Sequence, residues 1–423
     1  LGTAVVAITG GNGDNNDIFS INNSADVGTA TFTVAAQNTL AGSALQLDGH
    51  SASGDGLTAV SALHTTPSAD LSNLTTTSVT AAFDGDATFT GTIGTAVVTV
   101  GSGNTMTAAA VKVVTETINK AGTGKLAVTL SAATDTAENL TTINGDAINS
   151  VTVLDNLTFT GTLHGAVATT VADTVTLQTT AAIASGKTIN EAADTNATTA
   201  ITALQDTLTA DLDSISTNSV TAAATATDTT VNFEGKLGKA VVAITGGNGT
   251  DAADIFNVDS ALDMGTATFT VAENNTLQGT ADKLTTVVAT GAGLTAVTAL
   301  QDTVAADLSN LTTTSVTAAA TATDTTVNFV GSLGAAVVAI TGGNGADNDI
   351  FNVDGATMGT ATFTVAENNT LQGTADKLTT VVASGDGLTA VTALQITPSA
   401  DLSGLATTSV TAAFDGDATF TGT

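Results

Sequence analysis

The 423-residue sequence contains no cysteine, tryptophan, tyrosine or arginine, and only two prolines. Without cysteine there is neither a disulfide framework nor a thiolate metal site. Eight lysines stand against 39 acidic residues, a formal net charge of −31. Nothing in such a chain neutralises phosphates, which excludes nucleic acid and anionic membrane surfaces as partners. No apolar run approaches the roughly 20 residues of a membrane span, so membrane insertion is not expected. The chain opens on Leu1-Gly2-Thr3, with no initiator methionine and no charged-then-apolar leader. The expectation is a removed signal or a piece of something longer.

What is present is threonine, alanine, glycine, valine, asparagine and aspartate. A hydrophobic fraction of 42% with a mean hydropathy of +0.31 is too high for a disordered chain. Aromatics at 3% are too few to fill a globular core. Small side chains suit a narrow, uniform interior, and therefore a thin elongated body.

Internal repetition decides the fold reading. The phrase Leu-Gly-x-Ala-Val-Val-Ala-Ile-Thr-Gly-Gly-Asn-Gly begins at Leu1, Leu237 and Leu333, with shorter relatives at Ile93 and Leu163. Each internal copy follows a Phe-x-Gly-x phrase, and the last such phrase, Phe420 to Thr423, ends the chain. The repeat units are therefore 1–92, 93–162, 163–236, 237–332 and 333–423. Long and short units differ by 22 residues, 92 against 70 and 96 against 74. A β-sandwich cannot lose two or three strands and keep its core, whereas a solenoid can lose one whole coil. Four coils in each long unit and three in each short one give about 23 to 25 residues per coil, the size expected of a parallel β-helix.

The prediction is an all-β, parallel β-solenoid, right-handed by the usual bias of parallel crossovers. Its 18 coils of about 23 residues, stacked about 4.8 Å apart, would run continuously for some 85 Å. Tandem β-sandwich repeats are the alternative. In the last unit, strands are expected at Ala335–Ile340, Asp349–Val353, Leu378–Val382, Leu388–Leu394, Ser409–Ala412 and Ala418–Phe420. Thr360–Val365 should turn Ala361, Phe363 and Val365 inward. The helical reading of stretches such as Ala296–Leu311 is weakened by their threonine and valine. Starting and stopping on unit boundaries, the chain is expected to be a segment of a longer array or a subunit stacked end to end.

The sharpest motif is Gly-Gly-Asn-Gly with the acidic residues behind it: Asp14 and Asp17, Asp251 and Asp254, Asp347 and Asp349. Carboxylates recruit hard cations, Ca²⁺ first among them outside cells. The competing reading is a solvated turn, with glycine supplying positive φ and Asp or Asn bonding its own backbone. Asp84-Gly85-Asp86 and Asp415-Gly416-Asp417 read as tight turns. His50, His64 and His164 are isolated, and the acidic residues recur in every unit as a structural device does, so no enzyme is expected and no cofactor is required. Regular threonine ranks suited to ice occur on one coil per long unit only.

The stretch Gly342 to Phe351 resembles the Gly-Gly-x-Gly-x-Asp nonapeptides of RTX-type Ca²⁺-binding β-rolls, without their adjacent tandem copies. The whole chain, with its Ala-Asp-Leu-Ser-Asn-Leu-Thr-Thr-Thr-Ser-Val-Thr-Ala phrase (Ala69–Ala81, Ala306–Ala318), looks like the very large repetitive surface proteins of bacteria. That resemblance implies secretion and an extracellular or cell-surface location. The expected partner interactions are self-association, end to end or lateral, and contact with cell-surface glycans. The expected function is a structural extracellular filament or surface layer. The alternative is a Ca²⁺-binding adhesin stalk presenting a tip outside this segment.

Overall fold

A computed structural model describes residues 1–10, 16–144, 147–192, 196–227, 229–246, 254–321, 325–342, 349–417 and 419–423. They form two compact units, residues 1–200 with 214–219, and residues 201–213 with 220–423. Both are β-solenoids of short stacked strands, and every strand pairing among the described residues is parallel. The tandem-sandwich alternative is thereby excluded, because antiparallel hairpins are its basic unit.

The second unit shows how sequence becomes coil. Strand Thr362–Val365 points Phe363 and Val365 inward and leaves Thr364 exposed. A corner with Asn368 at positive φ leads into strand Asn369–Thr374. One helical turn, Ala375–Leu378, then buries Ala375 and Leu378 and closes the coil. The next coil begins with Val382–Thr392, kinked by a register shift between Gly385 and Leu388. Ser384 to Gly387, expected to separate two strands, is thus a bulge within one. Leu378, expected to start a strand, ends the helical turn instead. Alanine and leucine around it have the better helix propensity, and a turn is all the corner needs. Ala296–Leu311 adds only the short 3₁₀ segment Leu300–Asp302.

Successive coils are not equal in length. Val337 pairs with Thr362, Thr362 with Val382, and Ala383 with Leu405, which are steps of 25, 20 and 22 residues. On the adjoining face Asp349 pairs with Asn369 and Thr370 with Leu388, steps of 20 and 18. These steps along the strand faces average about 21 residues, while along the edge Asp211 reaches Lys236 and Asp307 reaches Ser332 in steps of 25, so the whole coil stays close to the 23 expected. The 25-residue step from Val337 to Thr362 is the one that carries Gly-Gly-Asn-Gly.

The Phe-x-Gly-x phrases lie where coil meets coil. Asp70 bridges Thr92, Asn139 bridges Thr162, Asp211 bridges Lys236, and Asp307 bridges Ser332. The sequence phrase has a steric cause. A Cβ on Gly331 would lie 2.1 Å from the Ala306 carbonyl oxygen, and one on Gly235 would lie 2.0 Å from that of Ala210. Only glycine lets the backbones approach there.

Inside, phenylalanines stack from coil to coil: Phe233 on Phe256 at 5.8 Å and Phe329 on Phe351 at 5.9 Å, all fully buried. Buried threonines are paired across coils. Thr58 with Thr76 and Thr295 with Thr313 are each 2.9 Å apart, and Thr313 donates onward to the Ser315 carbonyl. A hydroxyl with both a neighbour and a carbonyl costs little to bury.

Candidate functional site

The acidic residues behind Gly-Gly-Asn-Gly divide in two. Asp14, Asp251 and Asp347 lie outside the described residues. Asp17, Asp254 and Asp349 each open a strand. Each stands in register with an asparagine of the next coil: Asp17 with Asn38, Asp254 with Asn275, Asp349 with Asn369. Asp17 is exposed, whereas Asp254 and Asp349 are 1% and 0% exposed and occupy an inward row shared with Phe256 and Phe351.

The asparagines are oriented by their own turn. Asn369 Nδ2 donates to the carbonyls of Ala366 at 3.3 Å and Glu367 at 2.9 Å. Asn38 and Asn275 make the same pair of bonds. Both amide protons are spent on backbone carbonyls, so the amide cannot be flipped without setting oxygen against oxygen. Oδ1 therefore faces away from the turn. In Asn38 and Asn369 that oxygen is buried without a partner, and so are both carboxylate oxygens of Asp349. In the first copy the oxygens converge, since a Cβ on Gly10 would lie 2.9 Å from Asp17 Oδ2 and 3.3 Å from Asn38 Oδ1.

A second buried carboxylate shows what compensation looks like in this fold. Asp135 is also 0% exposed. It accepts from the N–H groups of Val111 at 2.8 Å and Ser131 at 3.0 Å, and from the hydroxyls of Ser131 and Thr134. Asp349 has none of these donors. Taking an ion out of water costs on the order of several kcal/mol unless charge or hydrogen bonds offset it, so the row containing Asp349 stands in need of a donor or a cation. None of the ion pairs among the described residues involves it; they join Lys236 to Asp211 and Asp213, and Lys283 to Asp282.

The other residues singled out in the sequence do not converge with this site. His50 Nδ1 lies 3.1 Å from the Ala30 carbonyl. His64 packs its ring against Gly85, where a Cβ would come within 2.4 Å of it. His164 Nδ1 accepts from the N–H groups of Ala166 and Val167, and burial, then the Lys187 charge, hold its pKa below the ordinary histidine value. Asp86 accepts the Thr105 N–H at 2.6 Å and the Asp415 N–H donates to Gln395 Oε1, both turn functions. Among the described residues no group of three or more His, Asp or Glu side chains gathers as a metal cluster would. No described helix is long and apolar enough to cross a membrane.

Two surface grooves recur one unit apart, one edged by Asp282 and Lys283, the other by Asp376 and Lys377. The Lys377 ammonium is tied to the Ala356 carbonyl at 2.7 Å, so its charge serves the coil.

The asparagine halves of the three pairs were missed in the sequence reading. The signal was there: Asn-Thr-Leu recurs at 38–40, 275–277 and 369–371, and strand alternation places its asparagine on the same face as its leucine. Compared with protein-family models, curated proteins and solved structures, the chain matches none.

Proposed function

We propose that this chain is a non-enzymatic structural protein of an extracellular filament or cell-surface layer. The observation that carries the reading is coil-on-coil repetition with parallel pairing throughout the described residues. Each coil is stabilised by its neighbours, so length is gained by adding coils and no position is unique. The absence of cysteine, the net charge of −31 and the threonine-rich outer positions fit a long-lived, soluble surface outside cells. Function then resides in the spacing and the faces that the coils present, with self-association as the partner interaction.

Electron microscopy of the purified chain and of native material tests this. The proposal expects fibres or sheets of uniform repeat that grow with protein concentration. Dispersed single particles at all concentrations would contradict assembly and favour a stalk that presents a separate binding tip.

A further inference from the structure

We infer that Asp349 and Asn369 form a buried binding site for a hard, oxygen-seeking cation, Ca²⁺ by preference, clamped between two successive coils. Three oxygens belong to one inward pair of register partners: Oδ1 and Oδ2 of Asp349 and Oδ1 of Asn369. All three are buried and without a hydrogen-bond partner. The two residues are held side by side by the ladder, in which the Asp349 N–H donates to the Asn368 carbonyl at 3.2 Å. The Asn369 amide has no freedom to supply a donor, because Ala366 and Glu367 occupy its Nδ2.

The donor set selects the ligand. A carboxylate and an amide oxygen, with no nitrogen or sulfur, suit hard cations and not zinc or copper. Ca²⁺ accepts irregular oxygen shells completed by water, whereas Mg²⁺ demands near-octahedral geometry and sheds its waters reluctantly. A site with few fixed oxygens and no octahedral frame therefore favours Ca²⁺. The position also differs from the one the β-roll resemblance picks out, which is Asp347. Here the ligands are the first residue of a strand and its register partner one coil away. The fold shows by contrast that it can satisfy a buried carboxylate from within when it needs to, as the four donors around Asp135 demonstrate.

Such a cation would lock adjacent coils in register, which is independent of whether the chain assembles into filaments. The test uses the full chain stripped with chelator and titrated with CaCl₂, with binding read by calorimetry and stoichiometry by native mass spectrometry. Asp349→Asn is isosteric and removes one charge. The expected result is that the variant binds one equivalent of Ca²⁺ fewer than the wild type. Its melting temperature without Ca²⁺ should equal or exceed the wild type's, because the new amide can donate to Asn369 Oδ1. Asn369→Leu should likewise lose one equivalent. Equal stoichiometry in wild type and both variants would overturn the site. So would no binding by the wild type up to about 10 mM, ten times the weak end of extracellular Ca²⁺ modules; water would then be what fills the row. Should either variant fail to fold, a Ca²⁺-soaked crystal of the wild type decides: an anomalous peak between Asp349 and Asn369 supports the site, and its absence refutes it. Equal affinity for Mg²⁺ would refute the preference for Ca²⁺.

Discussion

Replacing Phe351 with alanine tests the packing logic at its densest point. Phe351 is 0% exposed, lies in register between Val327 and Leu371, and stacks on Phe329 at 5.9 Å with the rings 26° apart. Truncating a buried phenylalanine removes its transfer energy and leaves a cavity, together about 3–5 kcal/mol. The stack accounts for roughly 0.5–1.5 kcal/mol of that loss. Because coils touch only their neighbours, the loss should be local. Hydrogen exchange read by mass spectrometry is the suitable assay, since long repeat arrays need not unfold in a single step. Amides of Thr326–Asn328 and Asn369–Thr374 should exchange faster by about a thousandfold, which is what a loss of about 4 kcal/mol gives at 1.4 kcal/mol per decade. Amides of Ser219–Thr225 should be unchanged. Phe19, the same residue in the first copy, is 40% exposed, and its replacement should cost less than half as much. A loss under about 1 kcal/mol at Phe351, or one spread evenly over the whole unit, would refute the reasoning.

Two further predictions concern backbone and charge. Gly385→Ala should strongly destabilise its coil, because φ is +112° and the new Cβ would lie 2.3 Å from the Val365 carbonyl oxygen. Gly416→Ala, at φ +105° with open space around it, should show only the conformational strain of about 1–3 kcal/mol; equal effects in a thermal melt would contradict the steric account. Asp401 is held down to about 2 by the Ser403 hydroxyl, then by the Thr423 hydroxyl and the Ser403 N–H, and Asp307 is lowered by the same bonds to Ser309. A depressed carboxyl contributes stability that is full above its ordinary value of 3.8 and lost as the pH falls from there toward about 2. Ser403→Ala should move the Asp401 titration back toward 3.8 in NMR, and an unmoved titration would remove the hydroxyl as its cause.

Much of the fold was legible because solenoids write their period into the chain. The 22-residue difference between units and the Phe-x-Gly-x phrases marked coil joints, and the alternation in Thr360–Val365 named the inward residues. Corners were harder. Ala375–Leu378 and the bulge at Gly385 hang on local steric contacts with neighbouring coils, which periodicity does not encode. The candidate site was half legible: Asp349 stood out beside its glycines, while Asn369 became visible only when register placed it 20 residues on. A long-range ladder makes the pair, and no local spacing rule reports it.

The central claim, stacked parallel coils, is tested most directly by one distance. Asp213 and Ser403 are exposed and follow Asp211 and Asp401 by two residues. Those two aspartates lie eight coils apart along one edge, through Lys236, Asp263, Asp307, Ser332 and Thr357. The chain has no native cysteine, so cysteines introduced at 213 and 403 would carry the only spin labels. Stacked coils at about 4.8 Å per step predict a narrow distribution near 38 Å in pulsed electron resonance. Independent globular repeats of this size, each about 35 Å across, would put the labels about 70 Å apart, and that result would contradict the solenoid.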